Sequence, residues 1–338
     1  IPKKVFAHGW ILFDNDKMSK SKGNIMYPEP LVELYGVDAL KYFVLREFHF
    51  GSDGNFSSQK YMERYNSDLV NDLGNLVSRT TSMIDKYNGG LVAKGSETDT
   101  YDEELKALAK TTYTDFVSQM DDFKFNDALQ SVWTFIRRAN KYVDETEPWI
   151  LGRDESKKDR LNTVLYNLAE SLRIVAQLIE PVMKNTSKEI LKKLGTDNKG
   201  FASAGEFGLL EEGAKVTKGD NLFDRLDIEV ELKKLHDRNN ELIAQRLRKG
   251  AEVKEEEESL PKITFEDFTK VEMVVGKILE AKKHPDADKL LVFTVDVGEE
   301  NPRTIISGIK KWYEPSDLLD KNVIVVKNLA PRKMRGIE

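Results

Sequence analysis

The chain has 338 residues, 52 Lys and Arg against 58 Asp and Glu, a formal net charge of −6 and no cysteine. These counts exclude disulfide frameworks and thiolate metal sites, argue against a protein that coats nucleic acid uniformly, and fit a cytoplasmic enzyme of two or three domains. No apolar run approaches ~18 residues and no signal peptide opens the chain, so neither a membrane span nor a secreted form is expected. The charge is uneven. Residues 1–60 carry eight Lys or Arg and seven Asp or Glu, residues 262–338 fourteen and thirteen, and the middle holds a net of −8. Local patches rather than the total set an encounter with RNA, so an acidic centre does not preclude it. Only four His occur, with no pair at metal-ligand spacing, so no zinc ligands are visible.

In chain order, residues 1–13 read as one strand, with Val5, Phe6, Ile11, Leu12 and Phe13 around Gly9. Lys17-Met18-Ser19-Lys20-Ser21-Lys22-Gly23-Asn24 comes next, three ammonium groups and two hydroxyls with no acid between them. Such a run is an ordinary solvated turn or a polyphosphate cradle, because Lys side chains are mobile point charges and Gly lets backbone N–H groups approach oxygen. Leu31 to Phe48 has a helical stripe at Leu31, Leu34, Val37, Leu40 and Val44. Gly51 to Ser58 is turn-rich, with Ser57 or Ser58 as N-cap for the next helix. From Gln59 to Leu194 apolar residues recur every three or four positions, broken at Asn88-Gly89-Gly90, at Glu147-Pro148 and at Pro181, which predicts an antiparallel helix bundle. Asn75 and Arg79, at i and i+4, share one helical face. Spacing alone leaves two readings, a local hydrogen bond on a solvated helix or a pair suited to base edges. Trp149, after Pro148, is a helix-end packing residue or an exposed stacking ring.

Residues 222–250 form a further helix or helix pair. Ala251 to Ser259, dominated by Glu255-Glu256-Glu257-Glu258, reads as a linker because like charges resist compaction. After Pro261 the period changes to short strands, Val271–Leu279, Leu290–Val297, Arg303–Ile309 and Val323–Val326, with a short helix near Glu314 to Leu319. This predicts a small barrel of the oligonucleotide-binding (OB) type. Lys327, Arg332, Lys333 and Arg335 form a cluster free of acids along the sequence. It is a solvated strand end or a phosphate contact.

Lys17-Met18-Ser19-Lys20-Ser21 is similar to the signature of class I aminoacyl-tRNA synthetases. With Gly23–Pro28, Leu31–Phe43 and Gly51–Ser57 it resembles the methionyl-tRNA synthetase family. The resemblance implies three parts: the end of an α/β nucleotide-binding catalytic domain over 1–58, an all-α anticodon-binding bundle over 59–222, and, beyond a helix and acidic linker over 223–261, an OB-fold tRNA-binding barrel over 262–338. It implies a methionine–tRNA ligase that takes ATP with Mg²⁺ as a substrate complex, methionine and tRNA(Met). Lys20 and Lys17 are then catalytic, with His8, Lys17, Met18, Ser19, Lys20 and Ser21 binding ATP. Gly74-Asn75-Leu76-Val77-Ser78-Arg79 is similar to the family's anticodon-reading helix, and Pro148-Trp149 to its base-stacking ring. Lys327, Arg332, Lys333 and Arg335 then meet the tRNA backbone. The appended domain also dimerises in the family, which implies a homodimer and no membrane partner. Leu222-Phe223-Asp224 departs from the family's usual Leu-Phe-Pro, in a connector. The chain opens on Ile1, shows no His-Ile-Gly-His-type motif and stops after a strand pattern. The expectation is therefore a portion truncated at both ends and inactive alone in adenylate formation. The competing reading is a non-catalytic tRNA-binding and dimerisation module acting in trans, which would not need the lysine loop.

Overall fold

The computed structural model describes residues 5, 7–13, 16–19, 25–256, 263–332 and 336–337. The chain divides into two units, Ile1–Glu252 and Val253–Glu338.

The first unit opens with a small sheet. Strand β1 (Ile11–Phe13) pairs antiparallel with β2 (Asp16–Lys17) and parallel with β3 (Gly54–Phe56). A parallel pair needs a crossover, and helices α1 (Pro28–Tyr35) and α2 (Val37–Glu47) supply it. The expected strand over 1–13 is therefore shorter. Trp10 N–H donates to Asp53 Oδ1 at 2.7 Å rather than to a strand carbonyl, which leaves the ladder to start at Ile11. The single helix expected over 31–48 is two. It starts early because Pro28 and Pro30 suit a first turn, and it breaks at Gly36, whose φ of 84° is open to glycine.

Ser57 caps α3 (Ser58–Arg64) by accepting from Lys60 N–H. The backbone then winds as a π-helix over Tyr65–Gly74 before α4 (Asn75–Asn88). Helices α5 (Thr100–Asp121), α6 (Phe125–Thr146), α7 (Pro148–Leu151), α8 (Lys158–Ile179) and α9 (Lys184–Lys193) complete the bundle. The predicted breaks hold: Gly89 ends α4 in the left-handed region, and Glu147, at φ 44°, turns the chain from α6 into α7. Helix α8 is buried on nearly every side. Its polar residues are therefore paired. Glu170 and Arg173, both fully buried, bridge at 2.7 Å, and Glu170 also accepts backbone N–H groups of Gly208, Leu209 and Leu210. Asp102, equally buried, accepts from Arg160, Asn167 and Tyr142 and so joins α5, α6 and α8.

A strap after α9 returns over the bundle. Lys193 Nζ donates to the Lys218 and Asp220 carbonyls at 2.6 Å, and Asn66 pairs with Leu226 through both its amide atoms. Helix α10 (Ile228–Glu256) comes after it. The expected linker over 251–259 is helical as far as Glu256, because Ala, Lys and Glu are strong helix formers whatever their charge. The rest of that run lies outside the described residues.

The second unit is a curled antiparallel sheet of OB-like build, in order β6-β5-β4-β7, with β4 Met273–Lys283, β5 Leu291–Asp296, β6 Arg303–Ser307 and β7 Asn322–Val326. Helix α11 (Phe265–Thr269) precedes it and α12 (Pro315–Leu318) lies between β6 and β7. Strand β4 serves two neighbours, β7 with its first half and β5 with its second, and the register shifts between Ile278 and Glu280. At Gly276 a Cβ would stand 2.7 Å from Val295 Cγ1, so only glycine lets the sheet curl there.

The π-helical stretch generates a test. A Cβ at Gly74 would stand 2.9 Å from the Leu69 carbonyl oxygen, a backbone atom that cannot swing aside. Gly to Ala inside a helix ordinarily gains about 1 kcal/mol. Gly74→Ala is expected to lose about 1–3 kcal/mol instead, read as a lower urea midpoint. A raised midpoint would contradict the close contact.

Candidate functional site

The lysine run is framed by two fixed feet. Upstream, Leu12 pairs with Lys17 and Phe13 with Asp16. Lys17 is exposed, its ammonium 5.1 Å from the Trp10 ring centroid. His8 is exposed too, and its Nδ1 lies 2.8 Å from the Gly9 carbonyl, an acceptor, so Nδ1 carries a proton. A Cβ at Gly9 would overlap the Ser52 carbonyl, so glycine is what lets the His8–Trp10 segment lie against 52–54. Met18 and Ser19 are half-buried. Lys20 and Ser21 lie outside the described residues. Downstream, Asn239 of α10 is buried and grips the returning chain with both amide atoms: Nδ2 donates to Ile25 O at 2.7 Å and Oδ1 accepts from Tyr27 N–H at 3.0 Å. Arg246 stacks over the Tyr27 ring at 4.1 Å. Sequence reading missed Asn239, because a tie across more than two hundred residues leaves no local signal.

The second site is a face built by α4 and α6. The π-helical turn with α4 runs parallel to α6, and four of the polar contacts between them keep one offset of 65 residues. Trp133 Nε1–H donates to the Asp68 carbonyl at 3.1 Å, Arg137 pairs with Asp72 at 3.2 Å, Asn75 Nδ2 donates to Asn140 Oδ1 at 3.3 Å, and Arg79 bridges Asp144 at 2.7 Å. The expected placement of Asn75 and Arg79 on one face is met, and α6 answers with Asn140 and Asp144 at the same i, i+4 spacing. That echo was the available sequence signal for these partners. Burial raises the Asp72 carboxyl above its ordinary range although Arg137 pulls it down. Asn75 is exposed and walls an open cleft of about 480 Å³ that also touches Asn71, Gly74, Ser78 and Arg225. Arg225, from the strap, donates to Asn71 Oδ1 at 2.9 Å. It is a further cation that the sequence pattern did not single out.

Trp149 stands just past this ladder, five residues after Asp144. Pro148 is buried at the start of α7 while Trp149 is 37% and Ile150 49% exposed. The short helix is held to the end of α4, because Gly152 packs where any Cβ would meet the Tyr87 ring at 2.4 Å. Lys158 Nζ adds donations to Tyr87 O and Asn88 Oδ1 at 2.6 and 2.8 Å. Asn75, Arg79 and Trp149 are thereby carried on mutually fixed elements.

In the second unit the C-terminal basic cluster is acid-free in sequence but not in space. Lys327 faces Glu272 at 3.5 Å and Glu299 at 3.8 Å. Arg332 is exposed, and Lys333 and Arg335 lie outside the described residues. Among the described residues no group of three or more His, Cys, Asp or Glu could hold a metal ion, and no helix is long and apolar enough to cross a membrane.

Known proteins match the chain along the same division. Residues 1–81 match the class I tRNA synthetase family for methionine, residues 92–240 the anticodon binding domain of methionyl tRNA ligase, and residues 273–338 a tRNA binding domain family. The methionine–tRNA ligase of Caldanaerobacter subterraneus subsp. tengcongensis is 49% identical over 339 residues, covering 100% of this chain and 52% of that protein. That of Lactococcus lactis is 44% identical over 338 residues, covering 98% and 51%. The chain thus spans about half the length of the curated relatives it matches. Among solved structures, the free-state Mycobacterium tuberculosis methionyl-tRNA synthetase superposes with a TM-score of 0.61 at 34% identity, over 67% of this chain and 44% of that one. The same enzyme in complex with methionyl-adenylate superposes at 0.63 and 37%, over 67% and 45%. With a matching catalytic segment, anticodon domain and appended tRNA-binding domain in this order, the chain belongs to the methionyl-tRNA synthetase family.

Proposed function

We propose that this chain is the part of a methionine–tRNA ligase that supplies the lysine loop, the anticodon-reading helices and an appended tRNA-binding domain. In this reading the methionine carboxylate attacks the α-phosphorus of ATP, taken with Mg²⁺, and pyrophosphate leaves. Lys20 and Lys17, with Ser19 and Ser21 positioning the loop, hold the negative charge that gathers on the departing group, and His8 with Met18 lies along the nucleotide. Donors fixed in advance where charge develops contribute more than donors that must reorganise. The tRNA then accepts the methionyl group and AMP leaves. Asn75 and Arg79 read base edges of the anticodon, Trp149 stacks on a base, and Lys327, Arg332, Lys333 and Arg335 meet the backbone. The observation that carries this reading is the α4–α6 ladder, which holds an amide and a guanidinium on one face beside an open cleft and an exposed ring.

A cytoplasmic homodimer through the second unit belongs to the same proposal. Val275 and Ile324 face each other across β4 and β7, 69% and 75% exposed, beside the exposed pair Met273 and Val326. An apolar sheet face of this kind is suited to a second copy.

Three measurements test this reading, two of them in the whole enzyme. Lys20→Ala is expected to slow ATP–pyrophosphate exchange about 10²–10³-fold; an unaltered rate removes the loop from the chemistry. Arg79→Ala or Trp149→Ala is expected to cut tRNA charging by orders of magnitude while exchange stays near wild type, and an equal loss in both assays removes them from tRNA recognition. Ile324→Lys in the 338-residue chain is expected to shift sedimentation from dimer to monomer; a dimer that persists moves the interface elsewhere.

A further inference from the structure

The turn between β6 and α12 bears on the proposed tRNA-binding role of the second unit, and the inference rests on that reading. Trp312 and Tyr313 sit side by side, 66% and 48% exposed, after Lys310 and Lys311. Single exposed apolar residues are ordinary on a folded surface. Two adjacent aromatic rings set on a fixed backbone are not. Trp312 N–H and Tyr313 N–H both donate to the Ile309 carbonyl, at 2.9 and 3.2 Å, and Ile309 packs against the core of this unit. The rings are therefore held outward by a rigid turn.

The turn is tied to its surroundings by cations. Lys283, at the end of β4, bridges Glu314 at 3.0 Å, and Lys310 stands 3.8 Å from Asp288 in the loop joining β4 to β5. The Lys311 ammonium lies 5.7 Å from the Trp312 ring centroid. Lys289 in the same loop is exposed, and Asp286 is the remaining acid there. The loop between the first two strands is where OB-type sheets take oligonucleotides, and an aromatic ring flanked by lysines is the combination that binds unpaired bases with little sequence choice. Lys327 lies at the other end of β4, since Met273 pairs with Val326. Eleven residues of strand separate the two ends by about 30 Å. The two surfaces cannot be one contact.

We propose that the Lys310–Tyr313 turn is a second RNA contact of this chain, in which an unpaired base of tRNA stacks on Trp312 while Lys311 and Lys289 approach the adjoining phosphates. The test is filter binding of the 338-residue chain to a purified tRNA for an amino acid other than methionine, which keeps anticodon recognition out of the measurement. Trp312→Ala is expected to raise Kd about 5- to 100-fold with the salt slope unchanged. Trp312→Phe should keep most of the affinity while losing the part of the fluorescence quenching that comes from this indole. Lys311→Ala should lower the slope of log K against log salt by about 0.7–0.9. A ring this exposed contributes little to folding, and circular dichroism checks that. Wild-type binding with Trp312→Ala within twofold overturns the inference alone. A wild-type chain that binds no tRNA overturns the reading of the domain and the inference with it. A Trp312→Ala variant that keeps its RNA affinity but loses self-association assigns the ring to protein contact and also overturns it.

Discussion

A constant offset of 65 residues between the Tyr65–Asn88 helix, π-helical turn included, and α6 is the constraint on which the candidate reading face depends. Two parallel helices in contact can slide or rotate, and either motion would change the distance between Asn75 and Arg79 as a partner sees them. Four polar contacts at one offset, from Asp68–Trp133 to Arg79–Asp144, remove both freedoms. They advance by four, three and four residues on each helix, the rhythm that keeps one helical face toward a neighbour. The π-helical stretch that ends at Gly74 sets the phase of this face, because an inserted residue turns the rest of the helix by ~100°.

The ladder is also graded in burial. Trp133 is fully buried and packs against Tyr42 with centroids 4.1 Å apart and ring planes tilted by 31°, which fixes the inner end. At the outer end Arg79 is 30% and Asp144 64% exposed. A bridge that exposed contributes only about 0–1 kcal/mol. Asp144 therefore positions the guanidinium, and opening the pair costs little stability. The buried pairs behave in the opposite way. Removing one partner of Glu170–Arg173 strands a charge in the interior, at a cost of about 3–5 kcal/mol. The buried pairs belong to the frame, and the exposed bridge leaves the α4–α6 surface easy to rearrange.

What was legible in the sequence was local. Ser57 as a cap, the stops at Asn88-Gly89-Gly90 and Glu147-Pro148, and the shared face of Asn75 and Arg79 each arise from residues within a few positions of one another. The strands of the second unit are legible for the same reason, through alternation between breakers. The misses have a physical pattern. Gly36 looks like a tolerated glycine inside an apolar stripe, and only its positive φ shows that it divides two helices. The π-helix has no distinctive period over ten residues. The glutamate run reads as a linker by charge, but helix propensity prevails as far as Glu256. Lys327 is free of acids along the chain and meets Glu272 and Glu299 only once β4 and β7 pair.

The lysine loop joins these two kinds of information. Its composition states its chemistry, but its reach is set by its feet. The β1–β2 pairing fixes the chain as far as Lys17, and the Asn239 amide fixes it again from Ile25. The residue that secures the second foot lies in α10, the helix that also anchors Tyr35 through Glu231 and Glu33 through Arg238. The helix beyond the bundle in the chain is thus part of the scaffold of the lysine loop, and a change in its seating would be felt first at Ile25 and Tyr27.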